Sequence, residues 1–265
     1  MNSFRLGTIA LAASFVVSAA PAARAQIECG GTIGKGQTVT LTADVGPCDG
    51  VESAIIVDSG ILDLGGHTLS CSDTNGNGMF SYGIDVRGKQ AQIRNGTVTG
   101  CLDNVYVDGS KHVVEGVTST AAIRYGFYVA SSSSKNRLAG NTATENTDDG
   151  IQARGSKHTI ESNTATNNGE DGIDLTDSSK VKVTSNTASG NSDDGFEATG
   201  SKNKLTGNTS TANGDDGIAV GGRRNKAIGN TSTGNGSTDI LAEEPCKKNK
   251  FKDNTFVVSP SSCVQ

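Results

Sequence analysis

The chain has 265 residues and a formal net charge of −5, with no tryptophan, 4% aromatic and 34% hydrophobic residues. The acidic balance argues against general nucleic-acid binding, and so few large apolar side chains are hard to reconcile with a thick two-layer core. With 35 glycines and only 4 prolines, the composition instead favours a narrow core and many turns.

The first predicted element is an export signal over residues 1–25. A basic residue precedes an apolar run from Leu6 to Ala20, and small residues at Ala23 and Ala25 mark a cleavage site. The run is too short to span a bilayer, and no later segment reaches about 20 apolar residues. We therefore predict a secreted or periplasmic protein without membrane insertion, whose mature domain covers residues 26–265.

Six cysteines in an exported chain predict disulfide bonds, because no Cys-x-x-Cys pair suggests a metal cluster instead. They are Cys29, Cys48, Cys71, Cys101, Cys246 and Cys263. Spacing pairs Cys29 with Cys48 at one end and Cys246 with Cys263 at the other, as staples. The two central cysteines follow the similar strings HTLSC and GTVTGC.

A repeat spelled Asn-Thr-x-Thr/Ser dominates the second half of the chain. Its copies begin at Asn141, Asn163, Asn186, Asn208 and Asn230, with a degenerate copy at Asn254. A period of 22–24 residues kept over this many copies is typical of a solenoid. Each unit holds three short β-like runs, which favours a coil of a right-handed parallel β-helix over leucine-rich or ankyrin repeats. The first Asn of each unit is expected to form an amide ladder between coils.

The string LDLGGHTLS (Leu62 to Ser70) and the NTxTxN…DGIxV spelling carry a family resemblance. The sequence resembles the right-handed parallel β-helix repeat family, which includes pectate-lyase-like, polygalacturonase-like and C5-epimerase-like enzymes and periplasmic carbohydrate-binding proteins. The resemblance covers residues 27–254. It implies one all-β domain of about ten coils, a monomer that binds or processes an acidic, uronate-containing polysaccharide. Because the fold also hosts non-enzymes, a surface, adhesion or accessory role stays open.

Alternation within each GIxV segment sends its first and third residues inward and its second outward. We define the outward row as Asp85, Tyr106, Tyr128, Gln152, Asp174, Glu197, Ala219 and Leu241. In the resembled enzymes this face is the floor of the sugar-binding groove. Tyr106 and Tyr128 would present rings to sugars with Gln152 beside them, and Arg87, Arg124 and Arg154 would pair with uronate carboxylates. The alternative is that these residues are ordinary sheet-surface tyrosines and solvated arginines.

Two catalytic arrangements are compatible with the outward row. Asp174 and Glu197 lie on adjacent coils, so their carboxyl groups would be roughly 5 Å apart, as in a retaining glycosidase. A lyase would instead combine calcium-holding acids with a base such as Arg154. The polygalacturonase-type Gly-His-Gly and the epimerase-type Asp-Pro-x-Asp are both missing from the sequence. If the protein is an enzyme, the choice between lyase and hydrolase therefore stays open.

Each uniform repeat carries an acidic pair before a glycine: Asp148 and Asp149, Glu170 and Asp171, Asp193 and Asp194, Asp215 and Asp216. Stacked about 4.8 Å apart in water, such acids repel by only about 1 kcal/mol, so an exposed column is tolerable without help. One acid of each pair is expected to accept backbone N–H groups in the turn. The alternative is a calcium column held by Asp149, Asp171, Asp194 and Asp216.

Basic residues recur at a different phase of the repeat: Lys111, Lys135, Lys157, Lys180, Lys202, Arg224 and Lys248. Two residues further on, Arg137, Lys182, Lys204, Lys226 and Lys250 are expected to face outward, giving the last four coils a basic strip. The strip either docks an anionic polysaccharide or balances the acidic turns.

The Thr-x-Thr segments predict two outward rows of hydroxyl groups. Some ice-binding solenoids carry such an array, which makes ice binding a minor alternative. Threonine is also a good strand residue, so these rows need no special function.

Overall fold

A computed structural model describes residues 26–72, 82–242 and 248–259. The predicted leader at 1–25 and the proposed Cys246–Cys263 pair lie outside these residues. Within them the chain forms 29 short strands and no helix, and every strand pairing is parallel. It follows that the described part contains no helix with the length and apolar character to cross a bilayer.

Each coil contributes one strand to each of three faces, numbered here in chain order. Sheet 1 has ten strands: β1 (Gly31–Ile33), β4 (Ser53–Asp58), β7 (Tyr82–Arg87), β9 (Val105–Val107), β11 (Phe127–Val129), β14 (Ile151–Ala153), β18 (Ile173–Asp174), β22 (Phe196–Glu197), β25 (Ile218–Val220) and β28 (Ile240–Ala242). The prediction of about ten coils is confirmed.

The other two faces follow the same stacking. Sheet 2 contains β2 (Thr38–Thr40), β5 (Ile61–Asp63), β12 (Arg137–Ala139), β16 (Thr159–Glu161), β20 (Lys182–Thr184), β23 (Lys204–Thr206), β26 (Lys226–Ile228) and β29 (Lys250–Lys252). Sheet 3 contains β3 (Val45–Cys48), β6 (Thr68–Cys71), β13 (Thr142–Thr144), β17 (Thr164–Thr166), β21 (Thr187–Ser189), β24 (Thr209–Thr211) and β27 (Thr231–Thr233). The longer β8 (Gln92–Thr99) and β10 (Val113–Thr120) run along both faces. At the corner after sheet 1, β15 (Gly155–Ser156) pairs with β19 (Ser178–Ser179).

The core is a narrow apolar column filled by the inward residues of the three faces. All inward positions predicted for sheet 1 are fully buried. They are Ile84, Val86, Val105, Val107, Phe127, Val129, Ile151, Ala153, Ile173, Leu175, Phe196, Ala198, Ile218 and Val220. Strand alternation thus accounts for the core without a second layer.

Asparagine ladders close two corners of the solenoid, one at each edge of sheet 3. The predicted first ladder is confirmed: Asn163 Nδ2 donates to Asn186 Oδ1 at 2.9 Å, and the same bond links Asn141 through Asn254 coil by coil. A second ladder runs from Asn146 to Asn235. It uses the last Asn of each NTxTxN motif, a position for which we had not predicted a ladder. Both ladders satisfy buried amides that would otherwise destabilise the fold.

Sheet 3 presents the predicted hydroxyl rows between these ladders. The row through Thr142, Thr164, Thr187 and Thr209 is in register, and the intervening Ala or Ser faces the core. The rows are thus confirmed as outward-facing strand positions.

Two disulfides lie in the first coils. Cys29 bonds to Cys48, as the spacing predicted, and Cys71 bonds to Cys101. The second bond joins the ends of two stacked sheet-3 strands, which explains why the strings preceding these cysteines are alike.

Candidate functional site

The outward row forms in the predicted register along sheet 1. Asp85 pairs with Tyr106, and the row continues to Leu241 with one residue per coil. Several members are more covered than a groove floor suggests: Gln152 and Asp174 are each only 5% exposed. They are buried because a second column, at the turn that enters each sheet-1 strand, stands beside them.

The residues of this turn column each come directly before the glycine or asparagine that precedes the inward residue of a sheet-1 segment. They are Tyr82, Asp103, Tyr125, Asp149, Asp171, Asp194 and Asp216. The glycine or asparagine that follows each member donates its backbone N–H to the carbonyl of the next member, for example Gly150 to Asp171 at 2.9 Å. The turn column and the outward row therefore run side by side along the axis. Together they form the candidate functional site.

In the first half of the site, all four tyrosines of the chain lie together. The ring centroids of Tyr82 and Tyr106 are 4.8 Å apart, those of Tyr106 and Tyr128 are 5.6 Å apart, and those of Tyr128 and Tyr125 are 5.2 Å apart. Tyr106 and Tyr128 were predicted for this face. Tyr82 and Tyr125 were missed, although each precedes a glycine at the same phase of the repeat as Asp149. The result is a half-buried aromatic surface.

Two of the three candidate arginines are neutralised inside the protein. Arg124 donates through Nε to Asp103 Oδ1 at 2.8 Å and through Nη2 to Asp103 Oδ2 at 2.7 Å. Arg87 donates through Nε to Asp85 Oδ2 at 2.9 Å. In each case the carboxylate raises the pKa of the guanidinium, since hydrogen bonding favours the charged form.

Arg154 is different, because it forms no ion pair within the described part of the chain. Its Cζ lies 5.7 Å from the centroid of the Tyr128 ring, and its buried Nε has no hydrogen-bond partner. The side chain is half-buried at the edge of the outward row. Arg154 is thus a half-buried cation without an ion-pair partner among the described residues.

The second half of the site is a line of buried carboxylates. Asp149 Oδ1 accepts the backbone N–H of Asp171 at 2.9 Å, Asp171 Oδ1 accepts that of Asp194 at 2.8 Å, and Asp194 Oδ1 accepts that of Asp216 at 2.8 Å. The prediction that one acid of each pair accepts backbone N–H groups is confirmed.

The expectation that this acidic column is exposed is wrong for the second acid of each pair. Asp149 is 3% exposed, Asp171 is 7% and Asp216 is 5%, and Asp194 is half-buried; the first acids Glu170, Asp193 and Asp215 are exposed, and Asp148 is half-buried. The coil-to-coil hydrogen bonds pull the second acid into the turn, where adjacent coils cover it. The repulsion between neighbours is therefore screened less than in water.

Burial and mutual repulsion make these acids hold protons unusually strongly. Burial, reinforced by the neighbouring Asp174, raises the pKa of Asp149 to about 8. Burial and Asp149 raise the pKa of Asp171 to about 10, and burial raises that of Asp194 to about 7. Without a cation, the column is therefore only partly ionised at neutral pH.

Asp174 and Glu197 lie on adjacent strands, as predicted, and with Asp171 they form one of two acidic groups here, the other being Asp193, Asp194 and Asp215. Their oxygens lie within 4.8 Å of one another. Asp174 Oδ1 accepts the backbone N–H of Thr176 at 2.6 Å, and Asp174 Oδ2 accepts Nε2 of Gln152 at 2.8 Å. Gln152 Oε1 is buried without a partner beside them.

This donor set suits calcium. It consists of hard oxygen atoms from three carboxylates, of which Asp171 and Asp174 are buried. The predicted calcium ligands Asp149, Asp171, Asp194 and Asp216 form a continuous line through this group. The predicted catalytic pair Asp174 and Glu197 shares oxygens with the same cluster, so metal binding and catalysis would use one place.

Comparison with known proteins reports on the fold. The family model described as a right-handed β-helix region matches residues 59–206 and 150–259. The A-module of the mannuronan C-5 epimerase AlgE4 of Azotobacter vinelandii is similar with a TM-score of 0.63 and 17% identity, over 91% of this chain and 85% of that chain. Pectate lyase Pel9A is similar with a TM-score of 0.62 and 18% identity, over 90% and 70% of the two chains. The Dettilon tailspike protein (gp208) is similar with a TM-score of 0.65 and 14% identity, over 84% and 57%.

At these identities the similarity establishes a shared fold, since the same fold carries different activities. No curated protein matches the sequence. The family model, however, spans well over half of the residues, and its match agrees with the three stacked parallel sheets of the structure. This chain is a member of the right-handed β-helix family.

Proposed function

We propose that this protein is exported and, as a monomer, binds an acidic polysaccharide along the outward row and turn column of sheet 1. The observation that carries the proposal is Arg154, a half-buried guanidinium that has no ion-pair partner among the described residues and lies over the Tyr128 ring. A guanidinium recognises a carboxylate with paired hydrogen bonds, and a tyrosine ring packs against the apolar face of a sugar. A uronate unit offers both features.

The similar structures support the same substrate class. A mannuronan epimerase and a pectate lyase share the fold, and both are named for uronate polymers. The ten strands of sheet 1 give this chain a face long enough to hold several sugar units.

Calcium would strengthen this interaction. Asp171, Asp174 and Glu197, with Asp149 and Gln152 beside them, are the residues that would hold the ion. When bound, it would neutralise the buried carboxylates and acidify the proton next to a uronate carboxylate. The residues themselves supply the positioning: Arg154 holds the sugar carboxylate, and the tyrosines fix the ring plane.

Two forms of this function differ in whether the polysaccharide is cleaved. In the catalytic form, Asp174, Glu197 and Arg154 process the bound chain as a lyase or hydrolase. In the non-catalytic form, the protein is a binding or accessory module. The second form has its own support, since Asp174 is 5% exposed with both oxygens hydrogen-bonded, which suits a positioning role better than attack on a sugar.

Purified mature protein should be incubated with polygalacturonate, alginate and a neutral glucan. Binding, unsaturated-uronate absorbance and new reducing ends should be followed together. We expect binding of the two acidic polymers, and Arg154→Gln should weaken it about tenfold or more, because a charge-assisted hydrogen-bond pair is lost.

Lys157→Gln is the matched control, since it removes one positive charge from the same coil at an exposed corner. If Arg154→Gln and Lys157→Gln bind alike, the proposed groove is wrong. Product formation that disappears in Glu197→Gln while binding persists would establish the catalytic form. Binding without product in the wild type would establish the non-catalytic form.

A further inference from the structure

The outer face of sheet 2 changes character halfway along the solenoid. In its first half every arginine has a carboxylate: Arg94 Nε lies 2.9 Å from Asp63 Oδ2, and Arg137 bridges Glu161 at 2.7 Å and Glu115 at 3.1 Å. This half therefore balances its own charge.

The second half carries cations without such partners. Lys182, Lys204, Lys226 and Lys250 stand in register on four adjacent strands, and all four are exposed. None of them forms an ion pair with a described residue. The carboxylates on the strands of this row or next to it already have partners: Glu161 on β16 pairs with Arg137, and Asp253 pairs with Lys252 at 3.5 Å.

A second row of cations follows the adjacent corner. Lys180, Lys202, Arg224 and Lys248 are exposed and adopt left-handed backbone conformations, with φ between 59° and 67°. That conformation is unfavourable for residues with a Cβ and normally selects glycine or asparagine. At the next left-handed corner of the same coils the chain uses Ser185, Gly207, Gly229 and Asp253. The first corner carries only basic residues in these four coils, so the left-handed backbone alone does not account for the choice.

We propose that the basic strip, which consists of these two rows of four cations, is a second docking surface for acidic polysaccharide, separate from the sheet-1 groove. The proposal takes its ligand class from the proposed function but uses another face. Successive cations along each row are one strand spacing apart, about 4.8 Å, so the four coils span roughly 14 Å. The strip is long and narrow, which fits one extended chain carrying a regular series of anionic groups.

The residues of the basic strip fit an acidic polysaccharide better than a nucleic acid or a membrane surface. Single-stranded nucleic acid is usually held by aromatic side chains that stack on bases, whereas the chain has no tryptophan and its four tyrosines lie on sheet 1 between residues 82 and 128. A membrane surface would require apolar anchors beside the cations. On the described strands β20, β23, β26 and β29, the outward positions are lysine and threonine except for Ile228.

The test uses the full mature chain and a labelled oligo-uronate of about six units. A strip variant combines Lys182→Gln, Lys204→Gln, Lys226→Gln and Lys250→Gln; glutamine already occupies this row at Gln92. A matched control combines Lys89→Gln, Lys111→Gln, Lys135→Gln and Lys157→Gln, with the same change in net charge. Both sets are measured in an Arg154→Gln background, which removes the sheet-1 contribution.

We expect the strip variant to lose about tenfold in affinity or more and the control to lose much less, since four exposed ion pairs add up when they face one ligand. The corresponding four Lys→Arg substitutions should restore binding. As a second measurement, carbodiimide coupling of the oligo-uronate to wild-type protein should map to strip lysines, whatever the folding yield of the variants.

Equal affinities of the strip and control variants, or coupling spread evenly over all exposed lysines, would overturn the proposal. Equal binding of a single-stranded DNA 10-mer with the same dependence on the strip would also overturn it, as would strip-dependent self-association in place of sugar binding. If binding depends on Arg154 but not on the strip lysines, the proposed function stands and the strip proposal is wrong. If binding depends on the strip lysines but not on Arg154, the sheet-1 groove is wrong and the strip proposal stands.

Discussion

The aromatic half and the carboxylate half of the sheet-1 site have the same backbone but carry side chains of opposite character. Between Tyr82 and Tyr128 the tyrosine rings pack against one another, and Arg124 forms an ion pair with Asp103. Between Asp149 and Asp216 the coils bury one carboxylate after another with no cation beside them among the described residues. The charged groups of the first half pair with one another. The acids of the second half are neutralised only when they hold protons or a bound cation. Arg154 stands where the two halves meet.

Both halves are held in place by the uniform coils. The largest expected effect is therefore a loss of stability when an asparagine ladder is broken. Asn186→Ala removes an acceptor for the N–H and Nδ2 of Asn163 and a donor to Ile160 and Asn208. Several buried polar groups then lack partners, so we expect a loss of about 4 kcal/mol in the free energy of unfolding, measured in urea.

Ser192→Ala is the control for this substitution, because Ser192 is exposed on the same coil. It should change the free energy of unfolding by less than about 0.5 kcal/mol. Equal effects of the two substitutions would mean that the ladder contributes little to stability.

The carboxylate half should make stability depend on pH in the direction opposite to ordinary acid denaturation. The folded pKa values of about 8 for Asp149 and about 10 for Asp171 lie above the ordinary value of 3.8, so the folded state binds more protons than the unfolded chain. Stability from these groups is present at low pH and is lost as pH rises through the folded values. With a chelator present, the melting temperature should fall between pH 5 and pH 9, by an amount corresponding to on the order of 3 kcal/mol.

Two changes sharpen this second prediction. Asp171→Asn should flatten the pH profile, whereas Asp177→Asn at an exposed corner should leave it unchanged. Calcium should restore the melting temperature at pH 8 in the wild type and less so in Asp171→Asn. A profile that rises toward pH 9 under chelation would show that the buried acids are ionised and stabilised in some other way.

The aromatic half should respond to ring removal but only slightly to loss of one hydroxyl. Tyr128 packs against Tyr106 and Tyr125 and lies under Arg124 and Arg154. Tyr128→Ala should weaken oligo-uronate binding about fivefold to tenfold, because stacking and cation–π contacts are each worth about 0.5–1.5 kcal/mol. Tyr128→Phe keeps both contacts and should bind within about twofold of wild type; a large loss in this variant would assign the role to the hydroxyl.

The smallest effect is expected outside both halves, on sheet 3. Thr166→Val retains the branched shape and removes one half-exposed hydroxyl, which lies 3.3 Å from that of Thr144. Stability should change by less than about 1 kcal/mol and oligo-uronate binding should not change. A change in binding would place the ligand on the hydroxyl rows instead of sheet 1.

The fold and the register were predictable because a single period fixes both. Once the repeat is aligned, strand alternation assigns Ile173 to the core and places Asp174 next to Gln152, independently of the contacts that their side chains form. The burial and the ion pairing of the side chains in the site were not predictable in this way. Whether Asp174 is buried, and whether Arg124 or Arg154 remains without an acid, depends on side chains reaching across from neighbouring coils.

Some of the missed residues had a signal in the sequence. Tyr82 and Tyr125 precede a glycine at the same phase as Asp149 and Asp171, so extending the acidic column toward the N-terminus would have found them. The second asparagine of NTxTxN repeats as strictly as the first. For Asp103 the signal is weak, because asparagine replaces the glycine that marks the motif elsewhere.

The asparagine ladders give the molecule a unit of length. Each Asn side chain donates toward the C-terminal neighbour and accepts from the N-terminal one, so every interior coil offers the same connectors at its top and bottom. Excising residues 163–185 would join two coils that already match, and would shorten the protein by one step of about 4.8 Å. The tyrosines would keep their surroundings, while the carboxylate line would lose Asp171 and Asp174 and the basic strip would lose Lys180 and Lys182. The number of coils, counted by the ladders, therefore sets the length of the sheet-1 face.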